Sequence, residues 1–260
     1  FSEIVFFDGK DECIRYEDRA LFKQSLKTGA KTEWFSFDKN KSDYIFWRIK
    51  PYSFDHSGTK CAVCILGNIS SPEILTNDEE YFDMLNLPKV PSRIAIIDGK
   101  EKKMNTVYQI KGGTLEAPFL SPNGRYLLFY QSNCRHEIPN TDIAPVDENG
   151  HIRKLNSLRM LDLEKNQMTI IHPGYEGIFG YRGVSFSPDS KYAVFSCRDK
   201  MNDLNRILKK PSPDKLYILD LKTQKKRLLN QNHVDLVTWS NGGFCVVQWL
   251  GVGRTKHAFR

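Results

Sequence analysis

The chain has 260 residues, of which 40% are hydrophobic and 27% are charged. This composition is typical of a globular protein and excludes a disordered one. Its apolar runs, such as residues 94–97, are too short to cross a bilayer. The formal net charge of +7 permits weak attraction to acidic proteins or nucleic acid, although lysine-rich solvated turns also account for it.

Two kinds of predicted hairpin alternate along the chain. In chain order they occupy residues 21–35, 54–63, 94–108, 119–129, 158–171, 185–195, 216–229 and, in a degenerate form, 239–247. The hairpins at 54, 119, 185 and 239 each have an apolar residue, a tight polar turn and an apolar strand. Leu120 and Phe186 in two of these copies are 66 residues apart, which indicates an internal repeat.

The turn of this repeat has a clear chemical signature. Its sequence is Ser-Pro-Asn-Gly at residues 121–124 and Ser-Pro-Asp-Ser at 187–190. Proline presets φ, Asn or Asp binds its own backbone, and Gly accepts a positive φ. The other hairpin has an apolar strand, a polar turn and a second strand, so one repeat contains two hairpins and four antiparallel strands, a to d.

The combined pattern resembles the propeller repeat of TolB and of the prolyl oligopeptidase and dipeptidyl peptidase propellers. Residues 185–195 and 216–229 carry it, with Ser-Pro-Asp followed by Lys-Tyr, and then Leu-Tyr-x-x-Asp-Leu-x-Thr. The resemblance covers nearly the whole chain and implies an all-β fold, a β-propeller of four-stranded antiparallel blades. It implies little about activity, because one fold hosts many functions.

We expect residues 1–260 to form one propeller domain or a fragment of one. The predicted blades cover about 1–38, 44–110, 114–172 and 181–230, with a partial fifth at 233–260. Propellers close their ring to protect sheet edges, so about four and a half visible blades favour a fragment of a larger ring. The alternative is a five-bladed ring that the N-terminus completes. The chain starts at Phe1 and not at Met, which also favours a fragment or a processed product.

Three long insertions separate strands b and c, at about 67–91, 132–156 and 198–214. In a propeller these b–c loops rise from one face, and long loops on a rigid scaffold are the usual place for binding. The second loop contains Arg135 and His136, which we predict as partner-binding candidates. The alternative is that these three loops are insertions without a function.

A second set of candidates lies four residues before each repeated apolar position. These residues are Lys50, Glu116, Arg182 and Asp235, and all four are charged. Strand alternation places them on equivalent sides of strand a, which lines the channel of a propeller. We predict a ring of alternating charge at the channel mouth, which either pairs blades or recognises a ligand.

The c–d turns are basic and offer a further surface. Their cationic residues are Lys27, Lys31, Lys100, Lys102, Lys103, Lys222, Lys225, Lys226 and Arg227. These could bind an acidic partner, or they could simply solvate the turns. Nucleic acid is a weaker expectation, because recognition of single strands would also require exposed aromatic residues there.

Motifs for catalysis and for cofactor binding are absent from the sequence. There is no Gly-x-Ser-x-Gly and no phosphate-binding Gly-x-x-x-x-Gly-Lys-Ser/Thr. Cys61 and Cys64 have metal or redox spacing, but in a strand they point to opposite faces, so we interpret them as structural. No cofactor or metal is predicted, and the cysteine usage favours a reducing compartment.

Three functions remain open at this point. The first is a non-catalytic propeller that binds a protein through the b–c loop face, as a scaffold or recognition domain. The second is the substrate-gating propeller of a prolyl oligopeptidase-like serine peptidase whose catalytic domain lies outside this chain. The third is an enzyme with its site in the channel mouth, acting on a sugar or a small acid.

Overall fold

The structure is a computed structural model that describes residues 4–6, 11–17, 20–37, 51–66, 91–111, 114–133, 155–176, 184–198, 214–230, 236–240 and 243–247. Every regular element in these ranges is a β-strand. Four sheets have four strands each and a further sheet has two. The predicted all-β class and the four and a half visible blades are therefore confirmed.

The first two sheets follow the chain order, so each strand pairs with the next. The first has the order β1-β2-β3-β4, with β1 (Ile4–Phe6), β2 (Glu12–Glu17), β3 (Ala20–Ser25) and β4 (Lys31–Ser36). The second has the order β5-β6-β7-β8, with β5 (Pro51–Phe54), β6 (Lys60–Leu66), β7 (Pro91–Asp98) and β8 (Lys103–Lys111). The pairing of β3 with β4 is the hairpin predicted at residues 21–35, whereas no motif indicated β1 and β2.

The remaining sheets repeat this arrangement. The third contains β9 (Thr114–Leu120), β10 (Tyr126–Asn133), β11 (Leu155–Asp162) and β12 (Gln167–Glu176). The fourth contains β13 (Val184–Phe186), β14 (Tyr192–Arg198), β15 (Asp214–Asp220) and β16 (Lys226–Asn230). The two-stranded sheet contains β17 (Leu236–Ser240) and β18 (Gly243–Val247). We refer to the five sheets as blades 1 to 5.

The middle strands of the blades are apolar because both of their faces are covered. In β10, Leu127, Leu128 and Phe129 are all fully buried, so the side chains on both faces of this strand are out of water. The fourth strands are more polar. Residues 31–33 of β4 are exposed, and only Trp34 and Phe35 that follow them are buried.

Contacts divide the chain into two compact units, Phe1–Leu120 and Ser121–Arg260. In the first unit, one core cluster joins blades 1 and 2, and it contains Ile14, Leu21, Trp34, Phe35, Phe37, Cys61, Val63, Ile65, Ala95 and Ile97. In the second unit, Val194 and Leu216 of blade 4 pack against Trp239 of blade 5. A blade covers its apolar face with its neighbour, so these clusters hold successive blades together.

Candidate functional site

The a–b turns are closed by their own side chains. In blade 3 the Ser121 backbone N–H donates to the Tyr126 carbonyl at 2.8 Å, and the Ser121 hydroxyl donates to Asn123 Oδ1 at 2.7 Å. Blade 4 repeats both bonds, with Ser187 donating to Tyr192 and to Asp189. The hydroxyl bond is the main reason why the pKa of Asp189 falls to about 2. These turn groups are engaged within the turn itself.

The c–d turns share one backbone geometry. In blades 1 to 4, the fourth residue after the end of strand c has a positive φ, in the left-handed region. These residues are Gly29, Lys102, Asn166 and Gln224, with φ values of 72°, 54°, 51° and 59°. Before it, the carboxylates of Asp98, Asp162 and Asp220 accept backbone N–H groups of the turn. The pKa of Asp98 is lowered mainly by the hydrogen bond from the Glu101 N–H. The pKa of Asp220 is lowered mainly by the bond from the Thr223 N–H.

Blade 1 is fixed to blade 2 by a tryptophan and a lysine. Trp34 Nε1 donates to the Gly58 carbonyl at 3.2 Å, and the indole meets Phe54 edge-on with ring centroids 5.4 Å apart. Lys102 Nζ donates to the Glu33 carbonyl at 3.1 Å and also to the Trp34 carbonyl. Its ammonium group is therefore used in this junction.

Blade 3 is fixed to blade 4 by a similar contact. Lys226 Nζ donates to the Ile171 carbonyl at 2.9 Å and to His172 Nδ1 at 3.1 Å. The ammonium also lies 5.5 Å from the centre of the Tyr217 ring. His172 is buried and packs against Tyr217 and Phe195. The sequence pattern gave no sign of this junction, because it joins residues 54 positions apart.

The predicted charge ring is not tested by the described residues. Lys50, Arg182 and Asp235 lie outside them, as do Arg135 and His136 of the second b–c loop. The Glu116 backbone lies in β9, but its side chain is not among those described. The next residue, Ala117, has a φ of 47°, which non-glycine residues rarely adopt. All six residues remain predictions.

The ends of the b–c segments are held by paired strands. Leu66 pairs with Ser92, Asn133 with Leu155, and Arg198 with Asp214. Residues 67–90, 134–154 and 199–213 between them lie outside the described residues, including most of the three predicted loops. The strands therefore define where each segment leaves its blade and where it returns.

The Cys61-x-x-Cys64 pair is buried in a strand, as the sequence indicated. Neither thiol forms a disulfide bond, and Cys61 is fully buried. Burial raises the pKa of the Cys61 thiol well above its usual range, and the nearby Asp55 charge adds to the effect. Cys64 Sγ donates to the Leu115 carbonyl at 2.7 Å. The described side chains hold no group of three His, Cys, Asp or Glu residues suited to a metal ion.

Many of the basic c–d turn residues have partners. Lys27 pairs with Asp11, Lys31 with Glu17 at 2.7 Å, and Lys103 with Glu101 at 3.5 Å. Lys102 and Lys226 bind the neighbouring blade, as described above. Within the described ranges, Lys100, Lys222, Lys225 and Arg227 are exposed and form no ion pair. No helix long and apolar enough to cross a membrane occurs there either.

Comparison with known proteins identifies the fold. No protein-family model matches the sequence, and no curated protein does. Solved structures match by shape. An oligogalacturonate lyase in complex with manganese has a TM-score of 0.66 and 14% identity, and the match covers 97% of this chain and 59% of the lyase.

Two peptidases show the same likeness. One of two prolyl endopeptidases matches with a TM-score of 0.54 and 14% identity, over 95% of this chain and 32% of the enzyme. An acylaminoacyl peptidase from Pyrococcus horikoshii matches with a TM-score of 0.55 and 9% identity, over 100% of this chain and 39% of the enzyme. This chain thus spans less than two thirds of the length of the lyase and of both peptidases. At such identities the likeness shows the fold alone, and the chain has the β-propeller fold that its repeats predict.

Proposed function

We propose that this chain is a non-catalytic recognition propeller that binds another protein through its three b–c segments. The observation that carries the proposal is the strand pairing beneath them. Each segment starts and ends on two paired strands of one blade, Leu66 with Ser92 being the first example. A long segment held at both ends by a rigid sheet is a common form of binding loop.

Many polar groups at the opposite ends of the blades are already bonded within the fold, which supports the same proposal. There the turn carboxylates and hydroxyls bind the backbone of their own turns, as Asp98 and Ser187 do. Lys102 and Lys226 are used between blades. Groups that are satisfied within the fold have little to offer a partner, because a new contact must first break an existing bond.

The experiment replaces each b–c segment by a short Asn-Gly turn, which joins paired strands without disturbing them. Residues 68–90, 134–154 and 200–213 are replaced one at a time, and tagged proteins are used for affinity purification from the native cells. We expect at least one replacement to abolish recovery of the partner. Lys100→Ser, in an exposed c–d turn, is the matched control and should retain it. Unchanged recovery with all three replacements would contradict the proposal.

A second candidate is the substrate-gating propeller of a serine peptidase. It is favoured by the match to a prolyl endopeptidase, which covers 95% of this chain but only 32% of the enzyme. The sequence of the gene downstream of this segment tests whether a peptidase domain follows the propeller. A Gly-x-Ser-x-Gly motif followed by Asp and His would support the gating function, and a stop codon soon after Arg260 would eliminate it.

A third candidate is an enzyme that acts on an acidic sugar at the channel mouth. It is favoured by the match to an oligogalacturonate lyase in complex with manganese, which covers 97% of this chain. Calorimetric titration of the full-length protein with MnCl₂ tests it. Binding that Glu116→Gln abolishes would support this candidate, and the absence of any heat of binding would oppose it.

A further inference from the structure

The fourth strand of blade 4 has one edge with which no described strand pairs. In its sheet the order is β13-β14-β15-β16, so β16 (Lys226–Asn230) pairs with β15 on one side only. Within the described ranges no strand pairs with its other side. Leu228 in this strand is 37% exposed, and Arg227 beside it is exposed. An open strand edge presents unpaired backbone N–H and carbonyl groups to any extended chain that approaches.

Among the described residues, more cations lack an ion pair around this edge than in the other c–d turns. Lys27, Lys31 and Lys103 are neutralised by a carboxylate of their own blade. Lys222, Lys225 and Arg227 are exposed and form no ion pair with a described residue. Lys222 is near enough to contribute to the lowered pKa of Asp220, yet the two form no direct ion pair. Three exposed cations thus lie in one turn and in the strand that follows it.

Strand alternation arranges these groups for an added strand. Neighbouring side chains of a strand point to opposite faces, so Arg227 and Leu228 lie on opposite faces of the sheet. A peptide paired beside β16 would place its own side chains on the same two faces. An acidic residue would then meet Arg227 on one face, and an apolar residue would meet Leu228 on the other.

We propose that the edge of β16, with Lys222, Lys225 and Arg227, binds an extended acidic peptide segment by strand addition. We name these residues the blade 4 cationic edge. Backbone hydrogen bonds provide the general affinity, and the side chains select alternating acidic and apolar residues. Charge complementarity identifies the partner, because a basic edge repels basic chains and attracts acidic ones.

This surface shares no residue with the b–c segments, so the inference does not depend on the proposed function. It also differs from a nucleic-acid site. Binding of single strands relies on aromatic side chains that stack on bases, and residues 222–230 contain no aromatic residue. A nucleic acid is therefore treated as an alternative outcome of the test.

The test uses fluorescence anisotropy with the whole chain and a labelled peptide of eight residues in which Glu and Val alternate. Three comparison probes are the same peptide with Gln for Glu, a glutamate octamer, and the alternating peptide with its Val nitrogens methylated. Methylation removes N–H donors, as proline does. The protein variants are Lys225→Gln/Arg227→Gln and the matched control Lys27→Gln/Lys103→Gln, both checked by thermal unfolding.

We expect the alternating peptide to bind, and binding to weaken by about threefold to tenfold in Lys225→Gln/Arg227→Gln. The control variant should bind as the parent does, and the methylated and glutamine peptides should bind much more weakly. The inference is overturned if the parent does not bind or if the control variant loses as much affinity. It is equally overturned if the methylated peptide or the glutamate octamer binds as tightly, or if a DNA dodecamer binds more tightly.

Discussion

Gly99 lies against the indole ring of Trp34, so closely that no side chain fits between them. A Cβ atom placed on Gly99 would be 2.6 Å from Trp34 Nε1 and closer still to two ring carbons. The equivalent residues of blades 3 and 4 are Leu163 and Leu221, whose backbone N–H groups make the same bond to the a–b turn. Blade 2 therefore lacks a side chain at the point where blade 1 inserts its tryptophan.

The first prediction concerns this contact. Gly99→Ala should destabilise the protein by about 1–3 kcal/mol, because the added methyl group forces the indole or the turn to move. The φ of Gly99 is not positive, so alanine adds no backbone strain. Urea unfolding of the parent and the variant measures the difference.

A double-mutant cycle provides the control for this prediction. In a Trp34→Leu background the methyl group should cost much less, since the smaller side chain leaves room for it. Equal costs in the two backgrounds would show that Trp34 and Gly99 are not coupled as described.

The second prediction concerns Ser190, which stands where the turn motif has glycine. Its φ is 56°, and its hydroxyl accepts the Asn123 N–H of the neighbouring blade at 3.0 Å. Ser190→Ala keeps the strained φ and loses the bond, so it should cost about 1–3 kcal/mol. Ser190→Gly also loses the bond but relieves the strain, so it should be less destabilising than Ser190→Ala. Equal stability of the two variants in urea unfolding would contradict this interpretation.

The third prediction concerns acid stability. The pKa values of Asp98, Asp189 and Asp220 are lower in the fold than their usual 3.8, and that of Asp189 is about 2. A carboxylate with a lowered pKa stabilises the fold above its unfolded pKa and stops doing so as the pH falls through its folded pKa. Stability should therefore be fully present near pH 5 and decline between about pH 4 and 2.

Asp189→Asn tests this directly. The amide can still accept the Lys191 N–H and the Ser187 hydroxyl bond, but it does not titrate. The urea midpoint of this variant should fall less between pH 5 and pH 2.5 than that of the parent. An identical fall would assign the acid sensitivity to other groups.

The fourth prediction concerns the cysteines. Cys13, Cys61 and Cys64 are buried, and the thiolate is the reactive form. We expect a maleimide at pH 7.5 to leave all three unmodified in the folded protein and to label them in urea, as read by mass spectrometry. Fast labelling of Cys61 in the folded protein would contradict the burial and the raised pKa of its thiol.

The turn chemistry of the repeat made much of the fold predictable. The spacing of 66 residues aligns Ser121 with Ser187, and both turns have the same hydrogen bonds in the structure. Apolar runs after these turns predicted β10 and β14. A strand that is covered on both faces is a nearly continuous run of apolar residues, which is easy to recognise in a sequence. No motif indicated the positions of β1 and β2 within the predicted first blade, because no turn signature joins these two strands.

Other features depend on contacts that no local pattern reveals. Gly29, Lys102 and Gln224 occupy equivalent turn positions and all have a positive φ. Glycine favours this conformation, so it is expected at Gly29, but lysine and glutamine do not indicate it. The lysines of the c–d turns look alike in the sequence, yet some are paired and others are exposed, because pairing depends on carboxylates from other strands. The predicted positions of Lys50 and Asp235 on strand a depend on the repeat spacing alone, because both residues lie outside the described residues.

The proposal of a recognition propeller is tested most directly by cross-linking mass spectrometry of the protein with its purified partner. A zero-length cross-linker joins carboxylates to lysines that are in contact, so the positions of the cross-links map the interface. We predict that cross-links to the partner concentrate in residues 67–90, 134–154 and 199–213. Cross-links that fall mainly on the a–b and c–d turns, with none in these three segments, would contradict the account.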